Sequence, residues 1–441
     1  MARDLSTSPF ARLMRIGRVT TRVGTSLATR RALDAIFSTP GENLRRTEHF
    51  VRNAHRVTEA LGELKGAAMK VGQMLSVHEG FLPPEVCAVL QQLQSEAPAV
   101  PWPRMEQTLE AEVPGGLDAF EQFDRTPLAA ASIGQVYRAR LRDGRDVAVK
   151  VQYPDIDRVV AADLVTLKKL FGSLIEMFVE IDFEPLWVEL RARLLEELDY
   201  EQEASNVECM RAHYADDDTV LIPGVVRELS TRRVLVLDYV RGISPGAATS
   251  GAYPQELRDL WGRQLLRFVM SGLLQHRFLH ADPNFGNFAF REDGRLVVYD
   301  HGCVKDVPEA VATGCARILA ACIDQDMDAL APRLQALGVY DRRSGRAVPR
   351  TIVEPLGREV MDLVGDAPVR FDRESSLYTT LLDRDGAYIR ELTRLELPPD
   401  LMFVNRTLSG VFGNLCLLES QDRWRDVLTP YARSEPAVTS G

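Results

Sequence analysis

The chain reads as an α+β protein of two lobes, a small strand-rich lobe followed by a larger, mostly helical one. Three observations predict this. Strand-like alternation begins after residue 127, where Ile133 to Leu141 and Asp146 to Gln152 flank the tight turn Arg142-Asp143-Gly144-Arg145. From Gln255 onward apolar residues recur at helical spacing, interrupted by one further hairpin turned by Arg291-Glu292-Asp293-Gly294. Before residue 127 the pattern is again helical.

Element by element, Leu33, Ile36, Val51, Ala54, Val57, Leu61 and Leu64 predict helix within 32–98. Pro83-Pro84 ends one helix there and starts another. Pro98, Pro101 and Pro103 make a second break, and helix resumes over 104–113. After the first hairpin come two long amphipathic helices, 156–178 and 184–213, then strands over 225–229 and 233–239. The second hairpin pairs 287–290 with 296–299. Four regions follow: a basic segment 1–59, a helical extension 60–126, a strand-rich lobe 127–243 and a helical lobe 244–441.

At 441 residues, 45% hydrophobic and 26% charged, the chain has an ordinary globular balance and length enough for a sizeable core. The net charge of −10 is uneven: residues 1–56 hold eleven Arg and four acids, leaving an acidic body. An acidic body argues against nucleic-acid binding. In the basic head, Phe10, Leu13, Met14 and Ile16 interleave with Arg12, Arg15 and Arg18. That pattern suits either an amphipathic segment on an anionic membrane surface or a solvated basic tail. No run of 18 consecutive apolar residues exists, and 318–323 reads as part of a buried helix. The head lacks a secretory apolar core but resembles an organelle transit peptide. Six dispersed Cys without a CxxC read as buried, reduced thiols, which fits a cytoplasmic setting.

Chemistry concentrates in a few segments. In Val147-Ala148-Val149-Lys150-Val151 the valines share one strand face, and Lys150 lies on the other with Ala148. A lysine there needs water, an acid or an anion. Just upstream, Ala129-Ala130-Ala131-Ser132-Ile133-Gly134 is small enough for backbone amides to approach phosphate oxygens. Glu196-Glu197-Leu198-Asp199-Tyr200-Glu201-Gln202-Glu203 is acid-rich, with Asp199 and Glu203 on one helix face. Asp282 and Asn287 stand five apart across a Pro/Gly loop, and Asp300-His301-Gly302 follows the second hairpin. Two Asp and an Asn at loop ends make a hard oxygen site suited to Mg²⁺. His280 and His301 lack partners at zinc spacing and read as polar packing. In order, small-residue loop, strand Lys, helix acid, Asp-x4-Asn and Asp-x-Gly follow the sequence of parts in protein kinases.

These segments resemble the UbiB/AarF family of atypical protein-kinase-like proteins, linked to ubiquinone biosynthesis. Lys70-Val71-Gly72-Gln73 matches its KxGQ motif, Ala129-Ala130-Ala131-Ser132 its alanine-rich loop, and Glu197-Leu198-Asp199 its ExD motif. The likeness covers roughly 60–420. It implies a bilobal protein-kinase-like fold, with the KxGQ helices packed over the active-site cleft. It also implies ATP and Mg²⁺ as cofactors. Lys150 is expected on the α- and β-phosphates with Glu203 as partner, and Asp282 as the catalytic-loop Asp. Asn287 and Asp300 are expected on metal, and Lys70 reaching Glu197 and Asp199. On one straight helix Glu197 and Asp199 sit about 200° apart, so both reach Lys70 only if the helix ends or bends. Periodicity leaves open whether Asp199 or Glu203 serves Lys150. Asp300-His301-Gly302 departs from the usual Asp-Phe-Gly, and Ala281 stands where protein kinases have Arg.

The functional expectation is slow ATP hydrolysis supporting ubiquinone or related isoprenoid-lipid biosynthesis, with a quinone-like lipid and other quinone-biosynthesis proteins as partners. The location expected is cytoplasmic and peripheral on the inner membrane, or an organelle. The alternatives are a small-molecule or lipid kinase, and a non-catalytic lipid-binding scaffold.

Overall fold

The structure, a computed structural model, describes residues 100–131, 133–158, 160, 164, 168, 183–342, 344–372 and 395–433. The basic segment, the KxGQ motif with Lys70, and Ser132 therefore lie outside the described residues. Two compact units divide the chain: 1–200 with 228–236, and 201–227 with 237–441.

The first unit is built on a five-stranded sheet. Its strands are β1 (Phe120–Phe123), β2 (Ala129–Ala130), β3 (Gly134–Leu141), β4 (Asp146–Gln152) and, after the short β5 (Val220–Leu221) along the chain, β6 (Val234–Asp238). The path is β1-β3-β4-β6, with β2 paired to β3. The β3–β4 hairpin forms where the alternation predicts it, with Gly144 at φ 87° in its turn. Tyr137, Ala139 and Leu141 join Val147, Val149 and Val151 in the core, all at most 5% exposed. Helix α1 (Trp102–Glu112) lays Met105 and Leu109, one turn apart, into that core. Trp102, Phe123 and Tyr137 close the sheet's end as an aromatic cluster, with ring centroids 5.2 to 5.6 Å apart.

The expected helix 184–213 is two helices, α2 (Phe183–Glu196) and α3 (Tyr200–His213). The break has a tertiary cause. The Leu198 carbonyl accepts from Gln152 Nε2 (3.0 Å), and the Tyr200 N–H donates to the Arg232 carbonyl (3.0 Å), so both leave the helical ladder. The expected strand 225–229 also fails. Only Val225 bridges, to Leu237, and Arg227–Leu229 is a 3₁₀ turn. Arg227 turns outward there to pair with Glu208 (2.7 Å) and Ser205 (2.9 Å).

The second unit is organised around α4 (Gln255–Leu274), twelve of whose residues are buried. A small sheet, β5-β9-β8, pairs β8 (Phe288–Phe290) with β9 (Leu296–Val298), the hairpin expected from the sequence, and sets β5 parallel to β9. Strands β7 (Phe278–His280) and β10 (Val304–Asp306) pair antiparallel, a feature that no pattern in the sequence predicts. Tyr214 at the end of α3 donates to the Phe268 carbonyl of α4 (2.6 Å), and Trp261 of α4 stacks on Phe290 (5.1 Å). Helices α5 (Glu309–Ile323), α6 (Leu330–Ala336), α7 (Arg350–Leu363), α8 (Pro399–Leu418) and α9 (Trp424–Ala432) also belong to the unit. By length and composition α8 could cross a membrane, but eight of its residues, among them Leu401, Val411 and Leu415, are buried within the protein. Cys322 and Cys416 are buried thiols as expected, whereas Cys209 is exposed on α3.

Candidate active site

In the first unit β4 carries Lys150 opposite Val136 of β3. Its apolar neighbours Val149 and Val151 point into the core, so the half-buried lysine takes the other face. Its ammonium lies over the Tyr200 ring, 4.9 Å from the centroid. Such a cation–π contact contributes about 0.5–2 kcal/mol. Glu197 and Asp199 sit in the break between α2 and α3. The difficulty of placing both on one straight helix does not arise, because no helix runs through them. Asp199 has Arg232 Nε at 4.0 Å, a contact too long and exposed to fix it firmly.

The alanine stretch is less open than the sequence suggests. Ala129 and Ala130 form β2 on the edge of β3, and the Ala131 N–H donates to the Gly134 carbonyl (2.8 Å). That amide is committed to the hairpin, leaving the exposed face of Ala129 and Ala130 as a small apolar platform. Gly134 is buried, and a Cβ there would lie 2.3 Å from the Val151 carbonyl oxygen. Close strand packing therefore accounts for the glycine. Gln152, two residues after Lys150, carries no signal in the sequence. Its buried amide tethers the Leu198 carbonyl, the middle residue of the Glu197–Asp199 segment.

In the second unit Asp282 follows β7 and Asp300 follows β9. Asp282 Oδ1 accepts the Asn284 N–H (3.2 Å), and Asn284 Oδ1 accepts the Gly286 N–H (3.0 Å). These contacts wind the loop into a 3₁₀ turn over Phe285–Asn287. Asn287 Nδ2 donates to the Asp282 carbonyl (3.3 Å), so the amide nitrogen is occupied and the oxygen is the group left for a cation. Asp300 Oδ1 accepts the Gly302 N–H (3.0 Å). The two loops are tied to each other. His280 Nε2 lies 2.6 Å from the Asp300 carbonyl, which can only accept, so the proton is on Nε2. The Ala281 N–H donates to the Cys303 carbonyl (2.9 Å).

His280 and His301 are both buried, with rings 5.8 Å apart, and His280 braces the two loops. Glu203, on α3, is 3% exposed, and a Cβ at Gly302 would lie 3.9 Å from its Oε2 and 3.3 Å from Asp300 Oδ1. Asn206, one turn further along α3, donates to the His301 carbonyl (2.9 Å). Neither its role nor that of Gln152 has a local sequence signal.

The donor set fits magnesium. Asp282, Asn287 and Asp300 offer carboxylate and amide oxygens, the hard ligands that ion takes. Among the described residues no three His, Cys, Asp or Glu form a metal cage.

Comparison with known proteins gives the family. Residues 92–333 match the ABC1 atypical kinase-like domain. The chain is similar to "AarF domain-containing protein kinase 1" of Xenopus tropicalis, 32% identical over 69% of this chain and 58% of that protein. It is similar to "Atypical kinase COQ8B, mitochondrial" of Rattus norvegicus, 32% identical over 65% of this chain and 54% of that one. Among solved structures it resembles the "complex structure of Rv3197-erythromycin from Mycobacterium tuberculosis". That match has a TM-score of 0.64 at 27% identity, covering 90% of this chain and all of that one. The chain spans a little over half the length of the first curated relatives it matches. The fold is the kinase-like ABC1 fold of mixed α and β structure, and the chain belongs to the ABC1/AarF atypical kinase family, together with relatives named atypical kinase COQ8B and coq-8.

Proposed function

We propose that the chain is a Mg²⁺-dependent ATPase of the atypical kinase type that supports ubiquinone or related isoprenoid-lipid biosynthesis. The observation that carries this reading is the pair of tied loops in the second unit, which holds Asp282, Asn287 and Asp300 on one hydrogen-bonded frame. Asp282 is the group that orients and deprotonates an attacking hydroxyl or water. Asn287 and Asp300 would hold the cation, which when bound neutralises phosphate charge. Lys150 supplies the fixed positive charge for the α- and β-phosphates, and the exposed methyl groups of Ala129 and Ala130 face the nucleotide. Ser132 and Gly134 would add to that nucleotide loop, and Glu203 would be the acid that serves Lys150, as the family resemblance implies. Lys70 would pair with Glu197 and Asp199, so that the KxGQ helices exclude a bulky acceptor and leave water as the phosphoryl acceptor.

A quinone-like lipid, an anionic membrane surface and other quinone-biosynthesis proteins are the proposed partners. Peripheral attachment through the basic segment 1–59 is the proposed location. Relatives named mitochondrial and chloroplastic support an organelle or its bacterial equivalent. Transfer to a small-molecule hydroxyl is the second reading, favoured by the erythromycin complex of the structurally similar Rv3197.

The test is phosphate release by the purified chain with ATP and Mg²⁺, with and without anionic liposomes and quinone-like phenols. Release should fall about 10²-fold or more in Asp282→Asn while nucleotide still binds. Equal release by the variant rejects the assignment, and a phosphorylated hydroxyl compound in mass spectra selects the second reading.

A further inference from the structure

The loop that carries Asp282 has no strand ladder of its own on its carbonyl side. Three successive carbonyls, those of Ala281, Asp282 and Pro283, nevertheless each accept a side-chain hydrogen bond. Asn287 supplies the middle one (3.3 Å), from within the loop. The outer two come from α8, well over a hundred residues later. Arg406 donates a guanidinium N–H to the Ala281 carbonyl (2.8 Å), and Asn414 Nδ2 donates to the Pro283 carbonyl (2.9 Å). Between them Gly410 lies against the Pro283 ring, so closely that a Cβ would come within 2.3 Å of Pro283 Cγ.

Arg406, Gly410 and Asn414 are spaced four apart. At about 100° per residue they drift only about 40° per step and share one helix face. The contact is largely buried: Ala281 is fully buried, Pro283 is buried and Asn414 is 6% exposed, while Arg406 is half-buried. A buried carbonyl without a partner costs free energy, so these donors define where the loop sits. Arg406 is itself held over the Phe403 ring (5.9 Å), one turn earlier. The helix lies beyond residues 92–333, the part that matches the family domain.

We propose that α8 is a positioning helix for the Asp282 loop, acting through Arg406, Gly410 and Asn414. The proposal rests on reading Asp282 as the reacting carboxylate. Arg406 and Asn414 fix the main chain on either side of Asp282, and Gly410 gives Pro283 the room to dock. None of the three touches the reacting groups, so their loss should displace Asp282 without removing the nucleotide site. A displacement of the order of 1 Å at a reacting group lowers turnover by up to about 10²-fold.

The experiment uses the full chain with Arg406→Ala, Asn414→Leu and Gly410→Ala, and Arg406→Lys as the conservative variant. The rate constant for phosphate release should fall about tenfold or more, with KM for ATP within about twofold of wild type, and Arg406→Lys should recover part of the loss. Hydrogen exchange should rise in 279–287 and stay unchanged in 296–298. Unchanged turnover with unchanged exchange in 279–287 overturns the proposal. So does a rise in KM with turnover intact, or exchange that rises throughout the unit, which would mark α8 as general packing. If wild type releases no phosphate, the enzymatic reading fails. The exchange pattern across 279–287 then decides the role of α8 by itself.

Discussion

Lys150 shows how far a single residue can be read. A lysine on a valine-rich strand needs a partner on its own face, and the strand's alternation says which face that is. The Tyr200 ring beneath it was not legible, because that ring arrives from the start of helix α3, far along the chain. Asp282, Asn287 and Asp300 stand out as candidates because their spacing is local and each lies at the end of a short element or two residues beyond it. Gln152 and Asn206 were not, since their partners lie 46 and 95 residues away along the chain. Gln152 carries a direct prediction. Gln152→Leu leaves the Leu198 carbonyl without its donor and should destabilise the chain by about 1–3 kcal/mol in urea unfolding. It should also weaken nucleotide binding, because the Leu198 tether and the Tyr200 ring belong to one turn of chain. Gly134→Ala should cost about 1–3 kcal/mol by overpacking against the Val151 carbonyl, with Gly134→Ser no better.

At the scale of elements, the hairpins at 142–145 and 291–294 followed from period-two alternation and a glycine at positive φ, Gly144 and Gly294. The break at Glu197–Asp199 did not, because Glu-Glu-Leu-Asp-Tyr is compatible with continuous helix and the interruption is imposed by Gln152 and Arg232. The paired strands β7 and β10 are three residues each, too short for a periodic signal. The junction of α3 with the end of α4 carries a pH prediction. The His213 and His276 rings lie 4.9 Å apart in a tilted contact, with Tyr214 against His276 at the same distance. Burial first, then the neighbouring His213, lowers the His276 pKa from 6.5 to about 4, with Asp217 opposing. Burial also lowers that of His213, opposed by Asp306. A His whose folded pKa is depressed takes up its proton more readily when unfolded. Stability is therefore greatest above about pH 6.5 and falls as the pH drops from there toward 4. His276→Phe should flatten that limb of a melting-temperature profile while keeping the ring contact. An unchanged limb would place the acid sensitivity elsewhere.

For the molecule as a whole, the chemistry is divided: Lys150 belongs to the first compact unit, and Asp282, Asn287 and Asp300 belong to the second. Helix α3 contributes to both, with Tyr200 in one and Glu203 in the other. The order of parts along the chain was readable without coordinates, and so was the kinase-like class. What the sequence could not supply was the role of α8, whose polar side chains find their partners only after the second unit has folded. The claim on which the functional reading depends is that the separated groups serve one nucleotide and its cation. Calorimetric titration of the full chain with ATP, at several Mg²⁺ concentrations, measures this most directly. Wild type should bind with an affinity that rises with Mg²⁺. Asp300→Asn should lose that dependence, and Lys150→Ala should weaken binding about tenfold or more, a difference of about 1.4 kcal/mol. Binding by both variants that matches wild type in affinity and Mg²⁺ dependence would contradict it.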